Sequence, residues 1–358
     1  MNFLVDGSAE HRLLEGLVEE LKTLSGVVVD VQELLAQRVR HTGWRAGPRQ
    51  SVGGSCHLFE TIDRQWVAIN LARPEDHELL TIFFEDVKSI GGKIEIASLE
   101  IEVRKTTADR LIDFASETGL PVSRLGEMDN AYGPRELPIE TELFVKSMVN
   151  DRRGQLHVVD LSALWAGPLC SQLLHRAGHR VTKVESIRRP DGARRGHPTF
   201  FAELDAGKDH LTFDFDSSQD LAQLRSMIEE ADVVIEGSRP RALQQLGFRA
   251  DVIVRNHRPL VWLSITGYGR QGASGQRVGF GDDCAVAGGL VDWSRSARDG
   301  DEPQFVGDAV ADPLTGLVAA LAILQAVDGQ KGRVIEASLA KTAAWINSVR
   351  QSRQFQRD

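Results

Sequence analysis

A carboxylate followed at once by a proline and a long apolar run stands at Asp312, in Phe305-Val306-Gly307-Asp308-Ala309-Val310-Ala311-Asp312-Pro313-Leu314-Thr315-Gly316-Leu317. The apolar run Leu317 to Val327 predicts a helix. An acidic residue ahead of a helix-opening proline is a normal N-cap, because Pro suits the first helical position and the side-chain oxygen accepts orphan backbone N–H bonds. Read that way, Asp312 stabilises a helix by about 1 kcal/mol and does nothing else. The same placement holds an ionised carboxylate at the positive end of a helix dipole. With only small residues around it (Gly307, Ala309, Ala311, Gly316), such a carboxylate is open to a substrate and can act as a nucleophile. Local sequence admits both readings, so the rest of the chain has to choose.

Composition narrows the field. The 358 residues are 42% apolar and 26% charged, as expected of a soluble globular chain long enough for two domains. No apolar run approaches the roughly 20 residues of a membrane span, and the start, Met1-Asn2-Phe3-Leu4-Val5-Asp6, has neither the basic flank nor the apolar core of a secretory signal. Cys56, Cys170 and Cys284 are far apart and odd in number, which gives neither a disulfide framework nor a metal-ligand spacing. These features predict a cytoplasmic protein without a metal or a membrane partner. A net charge of −9 argues against nucleic acid as a main partner. Within that acidic chain, Arg188-Arg189-Pro190-Asp191-Gly192-Ala193-Arg194-Arg195 is a basic island, either a solvated loop or a phosphate-binding patch.

Apolar periodicity predicts helices over residues 8–23 and 29–38, a loop from Gly43 to Gly54, and a hairpin of His57–Ile62 with Trp66–Leu71. Helices follow at 73–83 and Ala108–Thr118, the latter ending at Gly119. This first part reads as α+β. A weakly patterned stretch, Gly133 to Gly154, reads as a linker. From His157 the chain alternates apolar strands (157–161, 180–184, 211–215, 233–236, 260–266) with helices (167–177, 221–230, 241–246). Strands alternating with helices define a doubly wound, mainly parallel sheet. The predicted organisation is therefore a small α+β domain over 1–135, a linker over 136–155, and a larger α/β, Rossmann-like domain over 156–358. In such a sheet ligands bind at the carboxyl ends of the strands. After the first strand comes Leu161-Ser162-Ala163-Leu164-Trp165-Ala166-Gly167-Pro168, without G-x-G-x-x-G, which makes a nicotinamide or flavin enzyme a poor fit. Neither a phosphate-binding G-x-x-x-x-G-K-[ST] loop nor a G-x-S-x-G elbow is present.

Several motifs, in order, resemble the class III coenzyme A transferases, a family that includes formyl-CoA and carnitine-CoA transferases and the α-methylacyl-CoA racemases. They are Val158-Val159-Asp160-Leu161-Ser162 with Ala166-Gly167-Pro168; Val181-Thr182-Lys183-Val184-Glu185; Ala231-Asp232-Val233-Val234-Ile235-Glu236 with Arg239-Pro240; Ser264-Ile265-Thr266-Gly267-Tyr268-Gly269; the Asp312 stretch; and Gly332-Arg333-Val334-Ile335-Glu336-Ala337-Ser338-Leu339. The resemblance covers most of Val158–Trp345. It implies coenzyme A as the carried group, acyl-CoA and a carboxylic acid as partners, and a homodimer. It also implies that Asp312 attacks the thioester and carries CoA as an aspartyl thioester. For the coenzyme it implies contacts from Leu164, Trp165 and Ala166, from Lys208 near the adenine, and from Gly237, Ser238 and Arg239. Arg188 and Arg189 are offered for the phosphates, since the family's frequent arginine is Ser186 here. Trp165 is equally a core residue.

The chain departs from that pattern in three ways. The family's second acidic residue aligns with Gly281, leaving Asp282 or Asp283 as substitutes, and Asp282 joins the candidate site. Phe280 stands where the racemase branch has a histidine, which argues against α-proton racemisation. The domain order is permuted: the first 150 residues resemble the family's small domain, which normally comes second. Gly53 and Gly54 are candidates for a glycine lid. The expected function is CoA transfer from an acyl-CoA donor to a carboxylic acid. The alternatives are a non-catalytic acyl-CoA-binding protein, or isomerase or lyase chemistry on the same fold.

Overall fold

Strands of the second half, with one exception parallel, form a seven-stranded sheet. Across it the order is Ile139–Phe144, Gly332–Ser338, Val261–Thr266, Val233–Glu236, His157–Asp160, Arg180–Ser186, Asp209–Phe213. The computed structural model describes residues 7–134, 136–144, 154–238, 240–257, 261–296, 300–327 and 331–352. Five of the strand pairings are parallel; Ile139–Phe144 alone runs antiparallel, against Gly332–Ser338. Val233, Val234 and Ile235 are wholly buried because helices cover both faces of the sheet. The edge strand Ile139–Phe144 lies inside the stretch expected to be a linker. Its sequence alternates weakly and its residues are mostly exposed, so periodicity alone could not mark it.

Helix Ala311–Val327 is apolar all round and almost entirely buried, as a helix at the centre of a core must be. Helices Ala166–Arg176, Leu339–Gln351 and Ala9–Ser25 pack around it. Its contact with the first of these is close because residue 316 is glycine: a Cβ there would come within 2.7 Å of the Ala166 carbonyl oxygen. Helix Ala9–Ser25 is capped by Ser8, whose hydroxyl accepts from the His11 N–H, and ends at Gly26 in the left-handed region. Its Leu14, Leu17, Val18 and Leu21, followed by Val31, Leu34 and Leu35, join the same core as Leu317 and Leu321. Each fully buried Leu or Ile there contributes about 1.5–3 kcal/mol. Residues 9–35 thus pack with the larger sheet, although the sequence groups them with the small unit. The helix expected over 29–38 is two, Val31–Leu35 and Gln37–Thr42, meeting at Ala36.

The small unit is an antiparallel sheet of Cys56–Glu60, Trp66–Asn70 and Val122–Arg124. One face packs on Pro74–Phe83, Ile96–Val103 and Ala108–Thr118 through Phe59, Val67, Ile69, Leu80, Leu99, Leu111 and Val122. The other face, through Cys56, Leu58 and Ala68, packs on Val286 and Val291. The small sheet therefore presses against helix Gly281–Ala287, which borders the Asp312 turn. An antiparallel hairpin, Val291–Ser296 with Gly300–Phe305, leads from that helix toward the turn; the sequence reading did not anticipate it.

Candidate active site

Two positive-φ residues, Gly307 (63°) and Ala309 (44°), fold residues 307–310 into a tight turn ahead of helix Ala311–Val327. The helix begins one residue before Asp312, so Asp312 lies in its first turn and is not the N-cap. Its own N–H donates to the Ala309 carbonyl at 2.8 Å. The Ala309 N–H donates in turn to Asp282 Oδ1 at 3.0 Å. Asp308, fully buried, accepts two bonds from the guanidinium of Arg38. On the neighbouring helix, Asp283 caps its own N-terminus by accepting from the Phe280 N–H and takes a further bond from Asn70 Nδ2 at 2.8 Å. Four carboxylates thus surround one turn.

Their crowding and burial move their ionisation. Burial pushes Asp312 up to about 7, with Asp282, Asp283 and Asp308 adding repulsion and Arg38 opposing them. Burial likewise lifts Asp283 to about 7 and Asp282 to about 6. A carboxyl that binds its proton more tightly when folded stabilises the fold at low pH, and that stability is lost as pH rises through the folded value. For Asp312 the window runs from about pH 4 to about pH 7. We expect Asp312→Asn, which never ionises, to gain melting temperature over wild type progressively across that window, reaching a plateau above it. Differential scanning calorimetry of the two proteins at a series of pH values measures this.

Gly281, which the sequence resemblance aligns with the family's second acid, packs directly against Asp312. A Cβ at 281 would meet Asp312 Oδ2 at 2.3 Å and the Ala309 oxygen at 2.5 Å. Glycine is required there because Asp312 and the turn already fill the space. Gly281→Ala is therefore expected to cost about 1–3 kcal/mol by overpacking and to displace the Asp312 carboxylate. Denaturant unfolding reads the first effect, and the rate of Asp312 labelling by a carbodiimide reads the second.

Asp312 opens into a cavity of about 170 Å³ at the carboxyl ends of the strands, bordered by the loops after His157–Asp160, Val233–Glu236 and Val261–Thr266. Ser162, Ala163 and Ser238 also line a second cavity of about 470 Å³ that holds Arg188 and Arg189. The two spaces share these three residues as a common wall, with Asp312 on one side and the arginines on the other. Arg188 is occupied by Asp214 and Asp216; Arg189 has no side-chain ion-pair or hydrogen-bond partner among the described residues.

The loop between the two cavities is held from beneath. Leu164, at φ 71°, donates its N–H to Asp191 at 3.0 Å. The buried Lys183 ammonium joins Asp191 (3.1 Å) to the Ser162 carbonyl (2.6 Å). Leu164, Ala166, Gly237 and Ser238, read from the sequence as coenzyme contacts, line the Asp312 cavity. Three other candidates fall elsewhere. Trp165 is buried against Phe200, with Nε1 donating to Gln37, so its ring faces the core. Lys208 is buried, with its ammonium on Asp205, Ser171 and the Pro168 carbonyl. Asp282 holds the turn and is absent from the cavity wall. Arg239 lies outside the described residues, and Gly53 and Gly54 are not on the Asp312 cavity wall. Arg38, Asp308, Asn70 and Lys183 were not singled out as site residues from the sequence. Lys183 sits in a quoted motif, and Asp191 in the basic island, but nothing local marks Arg38. Phe280 lines the cavity in place of the racemase histidine, under the Arg73 guanidinium. Among the described residues no cluster of His, Cys, Asp or Glu is arranged to hold a metal ion, and no helix is long and apolar enough to cross a membrane.

A mainly parallel α/β sheet with a half-buried aspartate at the crevice beyond its strand ends has the arrangement in which open α/β sheets bind ligands. The model of the CoA-transferase family III matches residues 154–355, more than half of the sequence, and the chain belongs to that family. It is 29% identical over 221 residues to an acyl-CoA transferase of Fusarium pseudograminearum, covering 54% of this chain and 48% of that protein. To the alpha-methylacyl-CoA racemase of Homo sapiens it is 27% identical over 198 residues, 54% of this chain and 49% of the racemase. The crystal structure of a CAIB/BAIF family protein from Brucella suis superposes with a TM-score of 0.50 at 27% identity, covering 57% of each chain. The chain spans about half the length of the curated relatives it matches.

Proposed function

We propose that this chain moves coenzyme A from an acyl-CoA to a free carboxylic acid, with Asp312 as the nucleophile. The observation that carries this reading is the pair of neighbouring cavities that share Ser162, Ala163 and Ser238, with Asp312 on the wall of one and Arg189 on the wall of the other. The length of an acyl-CoA suits that arrangement, its phosphates on the arginines and its thioester at the aspartate. Six glycines (167, 237, 267, 269, 275 and 279) line the Asp312 cavity, which lets a thioester approach backbone N–H groups able to stabilise an oxyanion.

In this mechanism the Asp312 carboxylate attacks the thioester carbonyl, and the CoA thiolate leaves, giving a mixed anhydride. The thiolate then attacks the Asp312 carbonyl, expelling the donor acid and leaving aspartyl-CoA. The acceptor carboxylate attacks aspartyl-CoA, again releasing thiolate, which takes the new acyl group from the second anhydride and frees Asp312. The donor, aspartyl and product thioesters have similar energies, so the overall exchange is nearly balanced, and the covalent route divides its barrier among smaller steps through the anhydrides. The small unit around the sheet Cys56–Glu60, Trp66–Asn70 and Val122–Arg124 shapes the acceptor side of the site in this reading. The same reading takes the protein as a cytoplasmic homodimer, a setting that suits its three free, buried cysteines.

The pushed-up ionisation of Asp312, to about 7, favours one second reading, proton transfer on an acyl-CoA by Asp312 as acid or base. Chromatography of CoA species after incubation with donor acyl-CoAs, with and without a panel of carboxylic acids, separates the two. Transfer requires both partners and yields a new acyl-CoA; isomerase or lyase chemistry consumes the donor without an acceptor.

A further inference from the structure

One cation reaches the Asp312 turn from far outside residues 154–355. Arg38, on helix Gln37–Thr42, donates through Nε to Asp308 Oδ2 at 2.8 Å and through Nη2 to Oδ1, across 270 residues of sequence. Its guanidinium stands over the Trp165 ring, 5.2 Å from the centroid. Its helix is clamped from outside by Glu203, which accepts from Gln37 Nε2 (2.8 Å) and Arg40 (3.2 Å) and bonds His41. Gly53 leaves the guanidinium its passage, since a Cβ there would lie 3.3 Å from Nη2.

The grip matters because of what Asp308 belongs to. It sits between Gly307 and Ala309, and Ala309 is bonded through its N–H to Asp282 and through its carbonyl to the Asp312 N–H. The bidentate pair thus ties the turn that carries Asp312 to a helix far away in sequence, alongside the local bonds of Asp282 and the Asp312 N–H. The titratable groups facing Asp312 are Asp282, Asp283 and Cys284 from helix Gly281–Ala287, Asp308 from the turn, and Arg38; Arg277 lies on the wall of the same cavity.

We propose that Arg38 is the positioning residue for the reaction at Asp312: its grip on Asp308 aims the carboxylate, and its guanidinium is the cation set against the four acids around the turn. The proposal rests on Asp312 being the nucleophile. Arg38 touches neither cavity wall, so its loss slows the chemical step and leaves acyl-CoA affinity in place.

The test compares wild type with Arg38→Gln and Arg38→Lys. Aspartate 13Cγ resonances are followed against pH, with Asp312 assigned from Asp312→Asn, and adduct formation with acyl-CoA is timed by quenched mass spectrometry. In Arg38→Gln the Asp312 midpoint should rise by about one pH unit or more, tenfold in proton affinity. Adduct formation at pH 7 should fall about tenfold or more, recover as pH is raised, and show unchanged half-saturation. Arg38→Lys, which keeps the charge but loses the fork, should titrate near wild type and still form adduct more slowly. A folded Arg38→Gln with the wild-type titration curve overturns the proposal. Should that variant not fold, Arg38→Lys decides: wild-type titration with wild-type adduct rate overturns it. A wild-type protein that binds acyl-CoA without forming an adduct overturns the nucleophile assignment instead, and the titration then decides the role of Arg38 alone.

Discussion

Asp312→Ala will bind coenzyme A thioesters and transfer nothing. Its carboxylate lies on the wall of the cavity, whereas the features offered to the nucleotide end, Arg189 and the Ser162–Leu164 loop, are positioned without it. Removing a nucleophile eliminates the covalent route, so turnover should drop on the order of 10³-fold or more. Affinity for a non-reacting CoA should change little, or improve slightly, since one carboxylate is lost from a crowded acidic cluster. Asp312→Asn should behave alike in turnover while keeping the side-chain volume. Steady-state transfer assays set beside calorimetric titration with free CoA separate the two quantities. Equal losses in both would mean that Asp312 serves binding or folding and carries no covalent step.

Lys183→Met will lose stability and coenzyme affinity together. The Lys183 ammonium has no exposure, and burial opposes its charge; Asp160 and Asp191 more than offset that, leaving the ammonium harder to deprotonate than in water. Removing the cation strands the Asp191 carboxylate, which is itself buried and accepts from the Leu164 and Ala193 N–H groups. Breaking a buried pair from one side costs about 3–5 kcal/mol. The Ser162 carbonyl loses its bond from the ammonium, at 2.6 Å, in the same change. The loop Ser162–Leu164 separates the two cavities, so its loosening should weaken CoA binding about tenfold or more. Urea unfolding and CoA titration on the same sample measure both. Lys183→Met combined with Asp191→Leu should recover part of the stability, because no charge is then stranded, but not the binding, because Leu164 has no acceptor.

The sheet was readable because burial on both faces demands near-continuous apolar strands, and Val158-Val159, Val233-Val234-Ile235 and Val261 to Ile265 supply them. Asp312 stood out as a candidate because the signal is local: a carboxylate, a proline and small neighbours within a few residues. Lys183 and Lys208 show the limit of motif reading. Both are buried lysines beside Asp160, and the sequence says only that each is basic; packing decides that one braces a loop and the other is locked in a network. Trp165 was left open between core and cofactor, and its Nε1 bond to Gln37 settles its direction. Arg38 lies beyond any local signal, because its partner is 270 positions away. The edge strand Ile139–Phe144 was hidden for a different reason: antiparallel and exposed, it lacks the buried pattern that marked its neighbours.

The most direct test of the account is intact-protein mass spectrometry after mixing the protein with a panel of acyl-CoA thioesters, using hydroxylamine to trap activated carboxyls and peptide mapping to locate them. The account predicts a CoA-mass adduct, and a hydroxamate on trapping, on the peptide that contains Asp312, both absent from Asp312→Ala. Bound acyl-CoA with no adduct on that peptide across the panel would contradict it.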